Sequence, residues 1–319
     1  MVNKGLAMIV GIIMLIFQYG CDLSEKSPLV RIATNPWPGY ELLFVAGNKG
    51  FFKEEGLNIK LLQLSSLVDV QRTYNQGRAD GMSSTVIEAI IVAALNDEKL
   101  KIVLIPDYSF GGDVIISDTD YNSVSDLKGK SIGVETGSLG IVILEKALAK
   151  SGLSIEDIKF VNLEQLKMKG MLKQKKIDAS VTYPPFSTEI LRDNQYKAVF
   201  TTREIPEEII DVITVREDVL LEDPEWANKF QRAWAKALDF MSNNKKEALR
   251  MMAEREGVSV EEFEAALSDM YLVEKDEIKS VLGKKSLKDN IESVCKTLVR
   301  LKTIEIDCGN IINVVAPVY

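Results

Sequence analysis

Two stretches of this chain, QGRADGM at residues 76–82 and QKKIDAS at residues 174–180, stand at the same place in two similar series of predicted elements. Each stretch is preceded by a short strand, a loop, an apolar helix, a glycine, a second strand and a second helix, and each is followed by a short polar loop. Strands and helices that alternate at this spacing are typical of right-handed βαβ units on parallel sheets. The duplication therefore predicts an α/β protein with two similar lobes.

The predicted lobes indicate where a ligand would bind. Ligands of open α/β sheets bind beyond the carboxyl ends of the strands, so the loops of the two copies would face each other across a cleft. We assign residues 29–108 and 214–319 to the first lobe and residues 109–213 to the second. The strands predicted at 102–116 and 199–215 are the two crossovers between the lobes and hence the hinge. This organisation predicts a binding protein that closes on a small molecule.

The composition of the chain argues against several classes of function. Its 319 residues carry a formal net charge of −8 and include no histidine. The acidic balance, without a basic patch, argues against a nucleic-acid partner. The absence of histidine removes Ser-His-Asp and Cys-His catalysis and argues against a zinc or copper site. We therefore predict no catalytic residue, no metal and no cofactor, and we expect a monomer.

Residues 1–20 have the features of a secretion signal. Lys4 precedes an apolar run at 6–17, which is too short to span a bilayer as a helix. The placement of Cys21 after Gly20 resembles the bacterial lipoprotein signal, in which the cysteine is acylated and becomes the first residue. This predicts a periplasmic protein, or one held by lipid on the outer face of the cytoplasmic membrane, with 21–28 as a linker. The alternatives are a plain signal peptide followed by an ordinary cysteine and an uncleaved anchor.

Two further cysteines, Cys295 and Cys308, are separated by twelve residues. In an oxidising compartment a disulfide between them would close a short loop and contribute on the order of 3 kcal/mol to stability. Cys295 also falls on an apolar helical face with Ile291 and Leu298, so two buried free thiols are the alternative. Sequence spacing does not establish the distance between two Cα atoms, and both states remain open.

The loop NPWPGYE at residues 35–41 is the first candidate ligand contact. Two prolines and Gly39 give it an unusual backbone, and it presents Trp37 and Tyr40 where they are expected to face the cleft. An aromatic face stacked on a ligand is worth roughly 0.5–1.5 kcal/mol beyond area burial. The alternative is that Trp37 covers the top of the first lobe. Glu41 is a candidate partner for a cationic group, although a carboxylate at a helix start also compensates the helix dipole.

Two polar loops that precede apolar helices form a second kind of candidate site. Free N–H groups at a helix start, together with hydroxyl groups, suit an anionic group on a ligand. Ordinary N-capping by the same residue types is the alternative, and the two roles are compatible. The candidates are Ser83, Ser84 and Thr85 in the first copy and Thr136, Gly137 and Ser138 in the second.

Four segments carry a family resemblance, namely WPGY at 37–40, AGNKGFFKEEGL at 46–57, LKGKSIGV at 127–134 and the stretch 148–158. Together they resemble the nitrate/sulfonate/taurine-type ABC transporter substrate-binding proteins, a family that also handles thiamine-pyrimidine precursors. The resemblance covers nearly the whole chain after the signal. It implies a type II periplasmic-binding-protein fold, with two α/β lobes joined by a two-strand hinge. It also implies delivery of a small-molecule ligand to an ABC permease and its ATPase.

The same resemblance places the ligand pocket in five loops. Besides the loops above, these are segment 107–113 in the first crossover and segment 182–185 in the second lobe. Gly112 lies where a hinge needs backbone freedom. For Asp113 three roles remain open: it binds an amine of the ligand, it forms a hydrogen bond within the hinge, or it is an acid on the surface. An aromatic residue of the second lobe mirrors Trp37, and the two would clamp a ligand. The residues carried over are Tyr108, Ser109, Gly112, Asp113, Tyr183 and Pro184.

From the sequence we expect the solute-binding component of an ABC importer and not an enzyme. Acids outnumber bases in the candidate loops, at Glu41, Asp107, Asp113 and Glu135. This favours an amine-bearing ligand, a zwitterionic sulfonate or taurine-like ligand, or a nitrogen heterocycle over a bare anion. The alternatives are an enzyme resembling thiamine-pyrimidine synthases and a protein that presents its ligand to a membrane sensor.

Overall fold

Among the described residues, most strands form two mixed sheets, one in each lobe, and two further strands form a small sheet of their own. The computed structural model describes residues 27–96 and 98–318. Its strands are β1 Leu29–Thr34, β2 Asn58–Gln63, β3 Gly81–Thr85, β4 Leu100–Leu104, β5 Asp107–Ser109, β6 Val114–Asp118, β7 Ser131–Val134, β8 Lys159–Asn162, β9 Ala179–Thr182, β10 Tyr196–Thr201, β11 Asp211–Arg216, β12 Met270–Leu272 and β13 Val315–Pro317. The first sheet has the order β2-β1-β3-β11-β4-β13 and the second the order β8-β7-β9-β6-β10, while β5 pairs with β12.

Helices connect the strands and form the C-terminal part of the chain. They are α1 Glu41–Asn48, α2 Phe51–Glu54, α3 Leu67–Asn75, α4 Val86–Asn96, α5 Leu139–Lys150, α6 Gln165–Lys173, α7 Phe186–Leu191, α8 Glu217–Glu222, α9 Trp226–Asn243, α10 Lys245–Glu256, α11 Val260–Leu267, α12 Ile278–Gly283, α13 Lys285–Arg300 and α14 Ile311–Val314. Among the described residues, none of the helices has the length and apolar character needed to span a membrane. The predicted signal peptide and Cys21 lie outside the described residues.

The repeated stretch has the same structural role in both lobes, through its aspartate. Asp80 accepts a hydrogen bond from the backbone N–H of Arg31, and Asp178 accepts one from that of Ser131, both at 2.8 Å. In return, the backbone N–H of Asp80 donates to the carbonyl of Arg31, and that of Asp178 donates to the carbonyl of Ser131. Each aspartate thereby joins the strand that follows it, β3 or β9, to the first strand of its repeated copy, β1 or β7. Both of these strand pairs are parallel.

Each sheet also contains an antiparallel strand, which differs from the parallel sheets predicted by the alternation of strands and helices. β11 is antiparallel to β3 and β4, and β6 is antiparallel to β9 and β10. The chain reaches both strands from the other lobe. Their direction is therefore set by the crossover and not by a βαβ unit, which would make them parallel to their neighbours. The two α/β lobes with a two-strand connection otherwise have the predicted fold class.

The two crossovers run side by side through residues 105–113 and 202–210. The N–H of Ser109 donates to the carbonyl of Ile209 at 3.1 Å, and Tyr108 forms an antiparallel bridge with Ile210. β11 pairs within the first sheet from its first residue, Asp211. Residues 211–213, which our predicted boundary assigns to the second lobe, therefore belong to the first sheet.

The helices after β11 lie against the first lobe. α9 packs on α1 and α2, α10 packs on α1, and α13 packs on α4. Phe230 of α9 stacks on Trp226 and on Phe52 of α2, with ring centroids 5.0 and 5.4 Å apart. Cys295 of α13 forms a disulfide with Cys308, and their Cα atoms are 5.8 Å apart. The structure thus contains the bonded form of the two states that the sequence leaves open.

Candidate ligand-binding site

A narrow cavity of about 10 Å³, enough for about one water molecule while the lobes are together, lies between the lobes at the carboxyl ends of the parallel strands. Its walls come from the loop after β1, the end of β3 and the starts of α3 and β11 on one side. The start of α5 and the loop after β9 form the other side, and the first crossover closes the joint. The lining residues are Asn35, Trp37, Tyr40, Leu67, Thr85, Asp113, Leu139, Tyr183 and Asp211. Open α/β sheets bind ligands at this position.

Three aromatic rings meet in the cavity, from both lobes. Trp37 and Tyr183 contact each other edge to face, with ring centroids 6.1 Å apart and an interplanar angle of 76°. Tyr40 lies 6.4 Å from Trp37. Nε1 of Trp37 donates to Oδ1 of Asp107 at 3.2 Å, and the hydroxyl of Tyr40 donates to Asp211. Trp37 and Tyr40 are therefore oriented by the carboxylates of Asp107 and Asp211.

Two glycines permit this arrangement because a side chain would collide with it. A Cβ on Gly39 would lie 2.0 Å from Oδ2 of Asp107. A Cβ on Gly112 would lie 2.7 Å from the ring of Trp37. Real Cβ atoms do not approach so closely, so either substitution would displace the Trp37 side chain or its carboxylate partner. Gly39 and Gly112, both predicted site residues, thus shape the wall of the cavity from behind Trp37.

Three buried aspartates surround the aromatic cluster. Asp107, Asp113 and Asp211 are each at most 2% exposed. Burial raises the pKa of Asp113 to about 7, and the negative charge of Glu88 adds to this. Burial likewise raises the pKa of Asp107 to about 7, with the hydrogen bond from Trp37 opposing it. Burial and the charge of Asp107 raise the pKa of Asp211 well above its ordinary value. None of the residues lining the cavity is a lysine or arginine.

A fourth carboxylate, that of Glu88, joins the two helix starts that we predict as anion sites. Oε2 of Glu88 accepts from the N–H of Thr85 at 2.9 Å, and the Thr85 hydroxyl accepts from the N–H of Ile87. This is the reciprocal capping of a T-x-x-E sequence. Oε1 of Glu88 accepts from the N–H of Leu139 at 2.6 Å, across the cleft at the start of α5. The protein itself therefore supplies the anion at both helix starts.

The hydroxyl residues predicted beside those helix starts have partners within the protein. Ser83 and Ser84 belong to β3 and not to a loop, and Ser83 donates to Thr34. The N–H of Thr136 donates to Asn162 at 3.1 Å, and Ser138 donates to the carbonyl of Glu135. The carbonyl of Gly137 accepts from Gln71 of the first lobe at 2.7 Å. Of these six predicted residues, only Thr85 lines the cavity.

Four other predicted residues lie outside the lining. Glu41 is fully buried against Arg255, with 2.7 Å between Oε2 and Nε. Burial raises the pKa of Glu41 to about 7, and the hydrogen bond and charge of Arg255 oppose this. The Ser109 hydroxyl is 2.7 Å from that of Thr202, in the neighbouring crossover. The remaining two are Tyr108, which lines a separate cavity together with Tyr271, and the buried Pro184 that follows Tyr183.

A wider cleft of about 250 Å³ opens between the same two lobes, beside α3 and α6. Its charged lining residues are Asp69, Arg72, Glu135 and Glu164. Nη1 of Arg72 is 2.6 Å from Oδ1 of Asp69, so the single guanidinium is already paired. Burial raises the pKa of Glu135 to about 7. The approach between the lobes is therefore acidic, like the cavity.

Five residues of the site are not among the predicted site residues. Asn35, Leu67, Leu139 and Asp211 line the cavity, and Glu88 organises both helix starts. The T-x-x-E spacing from Thr85 is a signal for the capping role of Glu88. No local signal connects Asp211 with the loop after β1, since the two are brought together by the return of the chain through the second crossover.

Two mixed α/β lobes around a cavity at their joint define the fold of the periplasmic solute-binding proteins. The periplasmic aliphatic sulphonate binding protein of Escherichia coli matches with a TM-score of 0.74, over 88% of this chain and 95% of its own, at 15% identity. The alkanesulfonate-binding protein of Xanthomonas axonopodis pv. citri bound to MOPS matches with a TM-score of 0.76, over 92% and 99%, at 15% identity. The periplasmic nitrate-binding protein of Synechocystis matches with a TM-score of 0.72, over 91% and 86%, at 13% identity.

The chain belongs to the NMT1/THI5 like family, whose model matches residues 37–248. A putative binding protein of Brucella abortus is 27% identical over 249 residues, which cover 72% of each chain. A 4-amino-5-hydroxymethyl-2-methylpyrimidine phosphate synthase of Aspergillus parasiticus is 26% identical over 225 residues, which cover 64% of this chain and 63% of its own. These relationships confirm the resemblance that the sequence motifs indicate.

Proposed function

We propose that this protein is the extracytoplasmic solute-binding component of an ABC importer and that it binds a small organic molecule between its lobes. The observation that supports this best is the contact between Trp37 and Tyr183, which come from opposite lobes and share one cavity. Aromatic rings placed in this way can hold a ligand only when the lobes are together. Polar atoms around them, from Asn35, Asp113 and Asp211, would orient the ligand.

Contacts between the lobes support a mechanism of hinge closure. Besides the hydrogen bond from Leu139 to Glu88, Arg192 of the second lobe makes two bonds to Glu262 of α11, at 2.6 and 2.7 Å. Arg300 of α13 pairs with Glu145 of α5 at 2.7 Å. These contacts hold the closed arrangement, and a ligand that touches both lobes would add to them. Ligand binding would therefore shift the population towards closure.

The proposal is tested with a library of small sulfonates, amino acids, polyamines and pyrimidines. A member that binds should raise the melting temperature, since saturation at about 100 times Kd stabilises the folded state by about 2.7 kcal/mol. The same compound should reduce the radius of gyration in small-angle scattering. Tyr183→Ala should weaken both effects. A library in which no compound changes either quantity would contradict the proposal.

The same proposal includes the place where the protein works and its partners. Delivery to an ABC permease and its ATPase requires a location outside the cytoplasm, on the periplasmic side or on the outer face of the membrane. We propose that Cys21 is lipidated and holds the protein there. Mass spectrometry of the native protein should show a diacylglyceryl-modified Cys21 as its first residue. An intact Met1, or an unmodified Cys21, would contradict the anchor without affecting ligand binding.

A pyrimidine-forming enzyme is a second candidate, because the Aspergillus parasiticus relative is named as a synthase. The cavity nevertheless offers carboxylates with raised pKa and no lysine among its lining residues. Incubation of the protein with a bound ligand distinguishes the two functions. A binding protein returns the ligand unchanged, as judged by mass spectrometry, whereas an enzyme converts it.

A further inference from the structure

We propose that the ligand carries a protonated nitrogen and a net positive charge, and that Asp113 and Asp211 together bind its N–H groups. This inference rests on the proposed function and specifies the class of ligand. Both aspartates line the cavity, and both are 2% exposed. One comes from the end of the first crossover and the other from the start of β11, so they flank the joint between the lobes.

The hydrogen-bonding atoms left open in the cavity are predominantly acceptors. Oδ2 of Asp113, Oδ2 of Asp211 and Oδ1 of Asn35 are buried and have no partner among the described residues. The Tyr183 hydroxyl also lacks a partner and is the one donor in this set. Buried polar groups in proteins are nearly always hydrogen-bonded. A ligand that satisfies these atoms must therefore present several N–H or O–H groups.

The charges that face the two aspartates are all negative or neutral. Asp107 of the first crossover, Glu88 of α4 and Tyr40 after β1 surround them, with Tyr183 on the opposite lobe. Glu135, after β7, adds a further carboxylate whose charge acts on Tyr183. A cationic ligand would neutralise part of this charge. The aromatic rings of Trp37, Tyr40 and Tyr183 would add cation–π attraction.

The positions that would suit an anion are already occupied. The N–H groups at the starts of α4 and α5 are bonded to Glu88, at 2.9 Å from Thr85 and 2.6 Å from Leu139. An anionic ligand would have to displace this buried carboxylate and would then lie beside the remaining acids. Glu88 therefore excludes anions from helix starts that would otherwise attract them.

Binding of a cation should be linked to release of protons. The pKa of Asp107 and that of Asp113 are raised to about 7, and the pKa of Asp211 is raised well above its ordinary value. A cation stabilises the charged carboxylates and lowers these pKa values. Near neutral pH its affinity should therefore increase with pH, up to tenfold per pH unit for each proton released. Binding of an anion would raise these pKa values, and the carboxyl groups would take up protons. The affinity for an anion should therefore decrease as the pH rises.

The experiment uses the full protein and a panel of compounds matched in size but not in charge. Each base, chosen to stay protonated up to about pH 9, is paired with a neutral and an anionic analogue, as in benzamidine, benzamide and benzoate. Aliphatic diamines and guanidines with their analogues extend the range of shapes. Calorimetry between about pH 6 and about pH 8, in buffers of different ionisation enthalpy, measures affinity and proton release together. We expect the tightest binder to be a cation that releases protons.

Variants test the two aspartates directly. Asp113→Asn and Asp211→Asn should each lower the affinity for the tightest cation at least about tenfold and reduce the number of protons released. Asp276→Asn, at an exposed acid, is the matched control and should change neither quantity. If a variant does not fold, proton release by the unaltered protein still decides the question.

The outcomes separate this inference from the function on which it rests. A tightest binder that is anionic or uncharged, or binding with proton uptake, overturns the inference and leaves the solute-binding function in place. A panel in which no compound of any charge binds overturns the proposed function itself.

Discussion

Trp37 and Tyr183 belong to different lobes and contact each other edge to face, with 6.1 Å between their ring centroids. Trp37 follows β1, the first strand of one copy, whereas Tyr183 follows β9, which corresponds to β3 in the other copy. Aromatic pairs of this geometry are worth about 0.5–1.5 kcal/mol beyond area burial. The pair is therefore both a contact that favours closure and a surface on which a ligand would be held.

Removing either ring should weaken binding more than folding. We expect Trp37→Ala and Tyr183→Ala each to reduce ligand affinity by at least about three- to tenfold, the value of the lost stacking energy. Calorimetry measures the affinity, and small-angle scattering measures ligand-driven compaction. Tyr271→Ala, at a ring that is 51% exposed, is the control for Tyr183. Trp234→Ala, in the buried core of the first lobe, should instead lower stability by about 3–5 kcal/mol. Unchanged affinity and compaction in both loop variants would place the ligand elsewhere.

Gly39 should tolerate no side chain. In Gly39→Ala the new Cβ would come within 2.0 Å of Oδ2 of Asp107, so Asp107 must move and its bond to Trp37 must lengthen. We expect a loss of about 1–3 kcal/mol in the free energy of unfolding, together with weaker ligand binding. Gly47→Ala is the matched control because no atom lies within 4 Å of the added Cβ. In α1 that alanine should raise stability by up to about 1 kcal/mol. Equal stability of the two variants in urea would show that the wall behind Trp37 is not tightly packed.

The stability of the protein without ligand should fall as the pH rises from about 5 to about 7. Asp107 and Asp113 have their pKa raised from 3.8 to about 7 in the folded state. Between these values the folded state binds more protons than the unfolded state, so each group contributes a slope of up to about −1.4 kcal/mol per pH unit. Glu262, whose pKa falls to about 2 beside Arg192, changes the pH dependence of stability only below this pH range. Urea unfolding of Asp113→Asn should show a smaller pH dependence, and exposed Asp276→Asn an unaltered one. Stability that increases over this range would refute the raised pKa values.

The ion pair between Arg192 and Glu262 should favour the closed form. Its two bonds of 2.6 and 2.7 Å join α11 to the end of α7, in the other lobe. Because both side chains are partly exposed, we expect Arg192→Ala to weaken ligand affinity by up to about fivefold and to increase the radius of gyration. Arg250→Ala is the matched control, since its pair with Glu254 lies within α10. The same affinity and scattering in both variants would mean that the interlobe pair has no part in closure.

The sequence predicted the parts of the site that are set by chain order. Trp37 and Tyr183 directly follow strands, and loops after parallel strands meet at one edge of a sheet. Their place in the cavity could therefore be predicted. The mixed sheets could not, because the direction of β6 and β11 depends on strands that arrive from the other lobe. The sequence predicts Ser83 and Ser84 in a loop, whereas buried pairing with β11 makes them the end of β3.

By itself, the sequence determined the two βαβ copies, their shared aspartates and the aromatic loops, because each depends on residues close together along the chain. Only the tertiary structure decided how the acidic groups of the site are arranged and how strongly their pKa values are raised. Glu88 and Leu139 are 51 positions apart, and the carboxylate of one reaches the helix start of the other only when the lobes meet. Asp107, Asp113 and Asp211 have raised pKa values because folding removes them from water and places them near one another. Desolvation and charge–charge distance are properties of the folded molecule, and no local pattern of residues encodes them.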